Sequence, residues 1–107
     1  MAEQVAIPKP ATKPETEPRD KVRHAPLYRV LVHNDDVTPM DFVVQILRKQ
    51  FLKAEADAIA IMLKAHTTGI AHVVSLPLEQ AEFRVDQTHS LARARKFPLK
   101  LTYEPEE

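Results

Sequence analysis

Three stretches of the chain alternate apolar and polar residues, and three others repeat apolar residues every three or four positions. The alternation has the period of a half-buried β-strand, and the longer repeat has the period of an amphipathic α-helix. The predicted strands lie near residues 28–32, 70–76 and 99–103, and the predicted helices near residues 39–51, 54–66 and 77–97. The order β-α-α-β-α-β predicts an α+β fold, a small sandwich in which a three-stranded antiparallel sheet packs on three helices.

Each predicted element has one face that we expect to be buried. On the first and last strands, the expected core residues are Tyr28, Val30 and Val32, and Leu99, Leu101 and Tyr103. On the three helices in order, they are Val43, Ile46, Leu47 and Phe51; Ile59, Met62, Leu63 and His66; and Ala81, Val85, Thr88, Leu91 and Ala92. Gly69 is the natural stop for the second helix, because glycine readily adopts the left-handed conformation found at helix ends.

A polar corner joins the first strand to the first helix. Residues 34–36 read Asn-Asp-Asp and follow directly on the last apolar residue of the strand. Thr38 is the predicted N-cap of the helix, Pro39 suits its first position, and Asp41 stands where a capping box places its acidic residue. A corner of this kind can present polar groups at the mouth of a pocket, with Met40 and Val43 on the first turns beside it.

The corner and the end of the second helix together supply acceptors for a cationic amine. Carboxylate and amide oxygens accept hydrogen bonds from an ammonium group, and so does a neutral imidazole nitrogen. Strand alternation would place Asn34 and Asp36 on one side, so we favour these two with His66 as direct partners and Asp35 as the second choice. The alternative is that the corner is only turn chemistry, since Asn and Asp satisfy local backbone donors in turns, and that His66 is structural.

Four apolar residues from separate parts of the chain are candidates for a side-chain pocket beside this amine site: Met40, Val43, Met62 and Leu99. Met62 and His66 are four apart and therefore share a helix face. Met40 could screen the entrance with its flexible thioether, and Thr38, between Met40 and the corner, is a fifth candidate for the pocket. The alternative is that Val43 and Leu99 are ordinary core residues.

Composition narrows the class of protein. The 107 residues favour one domain, and the absence of cysteine excludes disulfides and thiolate zinc sites. The single glycine excludes a P-loop or a dinucleotide-binding fingerprint, and the formal net charge of zero argues against a nucleic-acid partner. No apolar run is long enough for a membrane span. We expect no cofactor and no metal, and we expect a cytoplasmic monomer.

Proline divides the chain into two regions. Residues 1–26 hold five of the nine prolines and few apolar residues, which predicts a disordered tail. Residues 27–107 then form the core domain. The tail is interpreted either as a solubilising extension or, on the family resemblance given next, as a segment threaded toward a partner.

The corner and its flanks closely resemble the signature of the ClpS family, adaptors of the Clp protease. The resembling residues are Tyr28-Arg29-Val30-Leu31-Val32-His33-Asn34-Asp35-Asp36 and Thr38-Pro39-Met40-Asp41-Phe42-Val43, and the resemblance continues through residues 62–69, 79–82 and 98–99. It implies an adaptor, not an enzyme, that binds the free α-amino group and the bulky first side chain of N-degron substrates. Those substrates would begin with Leu, Phe, Tyr or Trp.

The resemblance also implies a protein partner and a selection rule. Glu79 and Arg84 match positions that contact the N-terminal domain of a Clp AAA+ unfoldase, where the family usually has Lys at the second position. From spacing alone, these two residues belong to a solvated charged face. Met40 would reject β-branched first residues.

Three further interpretations remain open on the sequence. Val37 and Ala65 depart from the family pattern, and the small Ala65 could enlarge the pocket, so a divergent peptide-binding module with altered cargo is one alternative. A small metal-dependent hydrolase using Asp35, Asp36 and His66 is less favoured, because one histidine with adjacent carboxylates is a poor set of metal ligands. An interaction domain of similar fold would leave these polar residues without a role.

Overall fold

The computed structural model describes residues 25–106. Its elements in chain order are β1 (Leu27–His33), α1 (Met40–Phe51), α2 (Glu55–Thr68), β2 (Ile70–Pro77), α3 (Leu78–Ala94) and β3 (Lys100–Pro105). The sheet order is β2-β1-β3 with both pairings antiparallel, so the predicted α+β order is confirmed. The predicted disordered tail, residues 1–26, lies outside the described residues except for residues 25 and 26.

β1 is the central strand, and its middle is buried. Val30, Leu31 and Val32 are all less than a tenth exposed, because a strand runs on each side of them. The pairing with β2 shifts register between Val30 and Leu31, which leaves Val73 as an extra residue in a β-bulge. Val73 is buried in the core, and Val74 packs against it.

The main core lies between the sheet and the helices α1 and α3. The predicted face of α1 is confirmed, because Val43, Ile46, Leu47 and Phe51 are all buried, and Phe42 joins them. The predicted face of β3 is confirmed at Leu99 and Leu101. On α3, Ala81, Val85, Thr88 and Ala92 are buried as expected, but the prediction for Leu91 is wrong, since that side chain is 41% exposed.

The predicted core face of α2 is also wrong. Ile59, Leu63 and His66 are exposed, and Met62 is only partly buried. The residues that α2 buries are Ala58 and Ala65. The prediction took the larger apolar residues as the buried face. The side of α2 that faces the rest of the molecule carries small side chains instead.

The start of α1 differs from expectation, whereas its end at Phe51 is as predicted. The helix begins at Met40 with Pro39 at the cap position, and no side chain caps it, so the prediction of Thr38 as N-cap is wrong. The reason is that Thr38 is bound instead to the Asp35 carboxylate. At its other end α1 is followed by the C-cap residue Leu52, which has a left-handed φ of 56°.

The predicted stop of α2 is confirmed. Gly69 has a φ of 94°, and its N–H donates to the Ala65 carbonyl at 2.8 Å. Glycine adopts this conformation without the steric cost that a Cβ atom brings. Within residues 25–106, no helix combines the length and the apolar character needed to cross a membrane.

Candidate functional site

A cavity of about 170 Å³ opens between the corner after β1, the start of α1 and the last turns of α2. It is lined by every residue that the sequence predicted for the amine site and the side-chain pocket: Asn34, Asp35, Asp36, Thr38, Met40, Val43, Met62, His66 and Leu99. These residues come from four separate parts of the chain, namely the corner, α1, α2 and the segment before β3, and the fold brings them to one place.

Three further residues line the cavity, and of these the sequence had indicated only Ala65, through its departure from the family pattern. Val32 is the last buried residue of β1, and His33 directly precedes the polar corner. Ala65 lies three residues after Met62 and one before His66 on α2. Helical spacing from Met62 could have identified Ala65, since residues three apart share a face.

A hydrogen bond ties the corner to the end of α2. The Asn34 N–H donates to the Gly69 carbonyl at 3.0 Å, and the neighbouring His33 pairs with Ile70. His66 lies in the last turn of α2, three residues before Gly69. The bond therefore holds the imidazole of His66 and the corner at the same cavity, although they are about thirty residues apart in sequence.

Asp35 holds the shape of the corner. Its Oδ1 accepts hydrogen bonds from the N–H groups of Val37 (2.8 Å) and Thr38 (2.7 Å), and its Oδ2 accepts one from the Thr38 hydroxyl (2.9 Å). Burial opposes ionisation and by itself raises the pKa of Asp35. These hydrogen bonds, with the positive charge of Arg93, outweigh burial and bring the pKa below its usual value. Most of the acceptor capacity of this carboxylate is thus used inside the corner.

The rim of the cavity offers acceptors that the rest of residues 25–106 does not occupy. Asn34, Asp36 and His66 are exposed, and none of their side chains is hydrogen-bonded to another described residue. The carbonyl end of α2 adds partial negative charge at the same place. No described lysine or arginine lines the cavity. The rim therefore has the hydrogen-bond acceptors and the negative charge that suit a cationic ligand.

The floor of the cavity is apolar. Val32, Val43, Ala65 and Leu99 are buried, and Leu99 is only 1% exposed. Met40 stands at the mouth with 46% of its surface exposed. An apolar cavity of about 150 Å³ can hold a benzene ring, so this cavity is wide enough for a Leu or Phe side chain.

The two residues predicted to contact a protein partner lie on α3, outside this cavity. Glu79 borders a depression next to Tyr28 and Leu78, and Arg84 borders another next to Leu52. Gln80 lines both depressions. The guanidinium of Arg84 also lies 5.5 Å from the ring centre of its neighbour Phe83. The partner role of Glu79 and Arg84 stays a prediction.

The hydrolase alternative would need a set of metal ligands. Among residues 25–106, no three or more His, Cys, Asp or Glu side chains are grouped so that they could hold a metal ion. His66 and Asp36 do share the cavity, but Asp35 is engaged with the backbone of its own corner.

The comparisons with known proteins all match one protein family. The family model described as ATP-dependent Clp protease adaptor protein ClpS matches residues 23–102. The ATP-dependent Clp protease adapter protein ClpS of Desulfatibacillum aliphaticivorans is 42% identical over 91 residues, which are 85% of this chain and 88% of that protein. The protein of the same name from Myxococcus xanthus is 39% identical over 93 residues, 87% of each chain.

A solved structure agrees with these sequence matches. It is that of Agrobacterium tumefaciens ClpS2 bound to L-phenylalaninamide, which is 36% identical in sequence and superposes with a TM-score of 0.74. The superposition covers 78% of this chain and 100% of the other. Identity at this level together with this TM-score shows a common fold and a common family.

Proposed function

The chain belongs to the ClpS family of ATP-dependent Clp protease adaptor proteins, and from this membership we propose that it recognises substrate proteins by their N-terminal residue. Its relatives are named adapter proteins, so its family serves the protease by handling substrates and not by catalysis. The finer proposal is that the cavity binds a free α-amino group and a bulky apolar first side chain. One observation carries it: the cavity combines an apolar floor with a rim of hydrogen-bond acceptors that no residue of the described range 25–106 occupies.

The α-amino group is the part of the ligand that the rim would hold. Asn34, Asp36 and His66 supply an amide oxygen, a carboxylate and an imidazole nitrogen around one opening. A hydrogen bond to a charged group contributes roughly 1.5–3 kcal/mol. The backbone of an internal peptide segment has no ammonium group, and a lysine side chain holds its ammonium at the end of a flexible stem and away from any neighbouring apolar side chain. The rim and floor together would therefore select chain ends.

The first side chain is the part that the floor would hold. Burying a Leu or Phe side chain contributes roughly 1.5–3 kcal/mol. L-Phenylalaninamide, the ligand of the Agrobacterium ClpS2 structure, has a free α-amine and a benzyl side chain, the two features that this cavity suits. Met40 at the mouth would hinder residues branched at Cβ. With the cost of association deducted, affinity in the micromolar range is expected at order of magnitude.

Delivery to the protease is the second half of the proposal. Glu79 and Arg84 lie on α3, outside the ligand cavity, so a substrate and a partner could be bound at the same time. We propose that they contact the N-terminal domain of a Clp AAA+ unfoldase in the cytoplasm. A pull-down with that domain tests this: Glu79→Ala and Arg84→Ala should each weaken capture, whereas Asp57→Ala on α2 should not.

Peptides that differ only at their first residue test the recognition step. A fluorescent peptide beginning with Phe should bind with about micromolar affinity, and an N-acetylated copy should bind at least about 30-fold more weakly, because it lacks the ammonium group. Asp36→Ala and His66→Ala should each weaken binding of the peptide with the free α-amino group, and Asp57→Ala is the matched control. Equal binding of the free and acetylated peptides would exclude the proposal.

The small size of Ala65 favours a variant of this function in which the cavity accepts larger first side chains. Ala65 is 4% exposed and lines the cavity, so a larger side chain at that position would reduce its volume. We therefore expect preference for Phe or Trp over Leu at the first position. A competition series with these three residues measures it, and a preference for Leu would count against an enlarged pocket.

A further inference from the structure

β3 forms one edge of the sheet, because only its inner side pairs with β1. In an antiparallel pair, alternate residues direct their backbone N–H and C=O groups away from the partner strand. Leu99 and Leu101 are two residues apart, so the outward groups of both lie on the outer side of β3. Backbone groups on an open edge need other partners.

Two side chains of α3 provide those partners. His89 Nε2 accepts a hydrogen bond from the Leu101 N–H at 3.0 Å. Arg93 Nη1 donates to the carbonyls of Leu99 at 2.9 Å and Phe97 at 2.8 Å. His89 and Arg93 are four residues apart and therefore share one face of α3. Together they close the outer edge of the chain from residue 97 to residue 101.

The role of His89 depends on its protonation state. Its Nε2 must carry no proton, since the Leu101 N–H is the donor of the bond. Burial lowers the pKa of His89, the positive charge of Arg93 lowers it further, and the negative charge of Asp86 opposes both. The net lowering favours the neutral ring that the bond needs.

The residue held by these bonds is part of the cavity. Leu99 is 1% exposed and contributes to the apolar floor. Its own carbonyl is fixed by Arg93, and the backbone two residues further on is fixed by His89. We propose that His89 and Arg93 form a brace that positions Leu99 and thereby sets which first side chain the cavity accepts. This proposal rests on the proposed function, and both residues act as positioning residues without touching the ligand.

Two variants remove the brace, and one should restore it. His89→Leu removes the acceptor for the Leu101 N–H, and Arg93→Met removes both donors while keeping the aliphatic stem. In His89→Gln, the amide oxygen can take the place of Nε2. His72→Leu is the matched control, because His72 is bonded to Ser75 on β2. Each full-length variant is titrated with peptides beginning with Phe and with Leu, and its Leu99 methyl groups are followed by NMR.

We expect His89→Leu and Arg93→Met to change the Phe-to-Leu affinity ratio by about threefold or more, as modest reshaping of an apolar pocket does. The Leu99 methyl resonances should shift in both variants. His89→Gln should return the ratio and the shifts to the wild-type values, and His72→Leu should leave them unchanged. If His89→Leu and Arg93→Met fold but keep the wild-type Phe-to-Leu affinity ratio and the wild-type Leu99 methyl resonances, the proposal that these residues position Leu99 is wrong.

The methyl signals separate the two proposals. If wild-type protein bound neither peptide, the recognition function would fail, yet the Leu99 shifts would still show whether the brace positions that residue. A variant that does not fold is replaced by the other, since His89 and Arg93 hold different backbone groups.

Discussion

The helices α1 and α2 are similar in length but meet the rest of the molecule in different ways. α1 buries five large side chains: Phe42, Val43, Ile46, Leu47 and Phe51. α2 buries only Ala58 and Ala65, while Ile59 and Leu63 remain 37% and 47% exposed. The large side chains of α1 fill the core, whereas the small side chains on the buried face of α2 leave a space beside it. Ala65, Leu99 and Val43 line the cavity together, so the cavity exists because one helix contributes little side-chain volume.

Substitutions of apolar residues test this difference between α1 and α2, and the largest expected effect is on the free energy of unfolding. Leu47 is fully buried on α1, so Leu47→Ala should destabilise the protein by about 3 kcal/mol through lost burial and the cavity left behind. Leu63→Ala on the exposed side of α2 should cost less than about 1 kcal/mol. Urea unfolding measures both, and equal losses would mean that α2 packs as α1 does.

The two alanines of α2 sharpen the contrast within one helix. Ala58 does not line the cavity, so Ala58→Leu should overpack the core and cost about 1–3 kcal/mol. Ala65→Leu should extend into the cavity, which leaves stability within about 1 kcal/mol of wild type but weakens a Phe-start peptide by at least about 10-fold. The two variants differ only in position, so thermal unfolding and peptide titration on each give a matched pair. Similar stability losses in both would contradict an open cavity at Ala65.

Substitutions at the C-terminal ends of α1 and α2 should change stability by smaller amounts and in opposite directions. α1 ends on Leu52 with a φ of 56°, whereas α2 ends on Gly69 with a φ of 94°. Leu52→Gly relieves left-handed strain on a side chain that is 83% exposed and should stabilise by about 0.5 kcal/mol after the entropic cost of glycine. Gly69→Ala should destabilise by about 1 kcal/mol. A Cβ there would meet no atom within 4 Å, so strain alone causes the loss.

The smallest expected effect concerns pH. Asp35 orders the approach to α1, whereas α2 starts at Glu55 after Ala54, which provides no side-chain cap. Because folding lowers the pKa of Asp35, its carboxylate stabilises the protein above the unfolded-state value of about 3.9, and this contribution is lost as pH falls through the lower folded value. Asp35→Asn should therefore be less stable than wild type at pH 7, with a gap that narrows below about pH 4. Urea unfolding at several pH values measures the gap, and a constant gap would be inconsistent with this role.

The sequence was most informative where a pattern is repeated or where one residue type has one conformation. Alternation located β1 and β3, the three-four repeat located α1, and Gly69 located the end of α2. The polar corner at residues 34–36 could be placed because it lies between two such patterns. Its assembly with Met62 and His66 could be expected from the family resemblance, since nothing in local periodicity indicates which distant helix face will approach.

The errors have a common physical origin. A hydrophobic pattern identifies the large apolar face of a helix, but α2 packs through Ala58 and Ala65, and so its buried side was missed. Capping preference identified Thr38, but its hydroxyl donates to the Asp35 carboxylate and does not cap the helix. The bulge at Val73 and the bonds from His89 and Arg93 to β3 depend on tertiary contacts that no local pattern records.

The cavity draws its lining from β1, the corner, α1, α2 and the segment before β3. This dispersion limits how far the site can be transplanted. A synthetic loop copying residues 32–43 would display the carboxylates but would lack Met62, Ala65, His66 and Leu99. A biosensor or affinity reagent built on the proposed recognition of N-terminal residues therefore has to retain the whole domain, and a change of its specificity has to be made by substitutions within the folded protein.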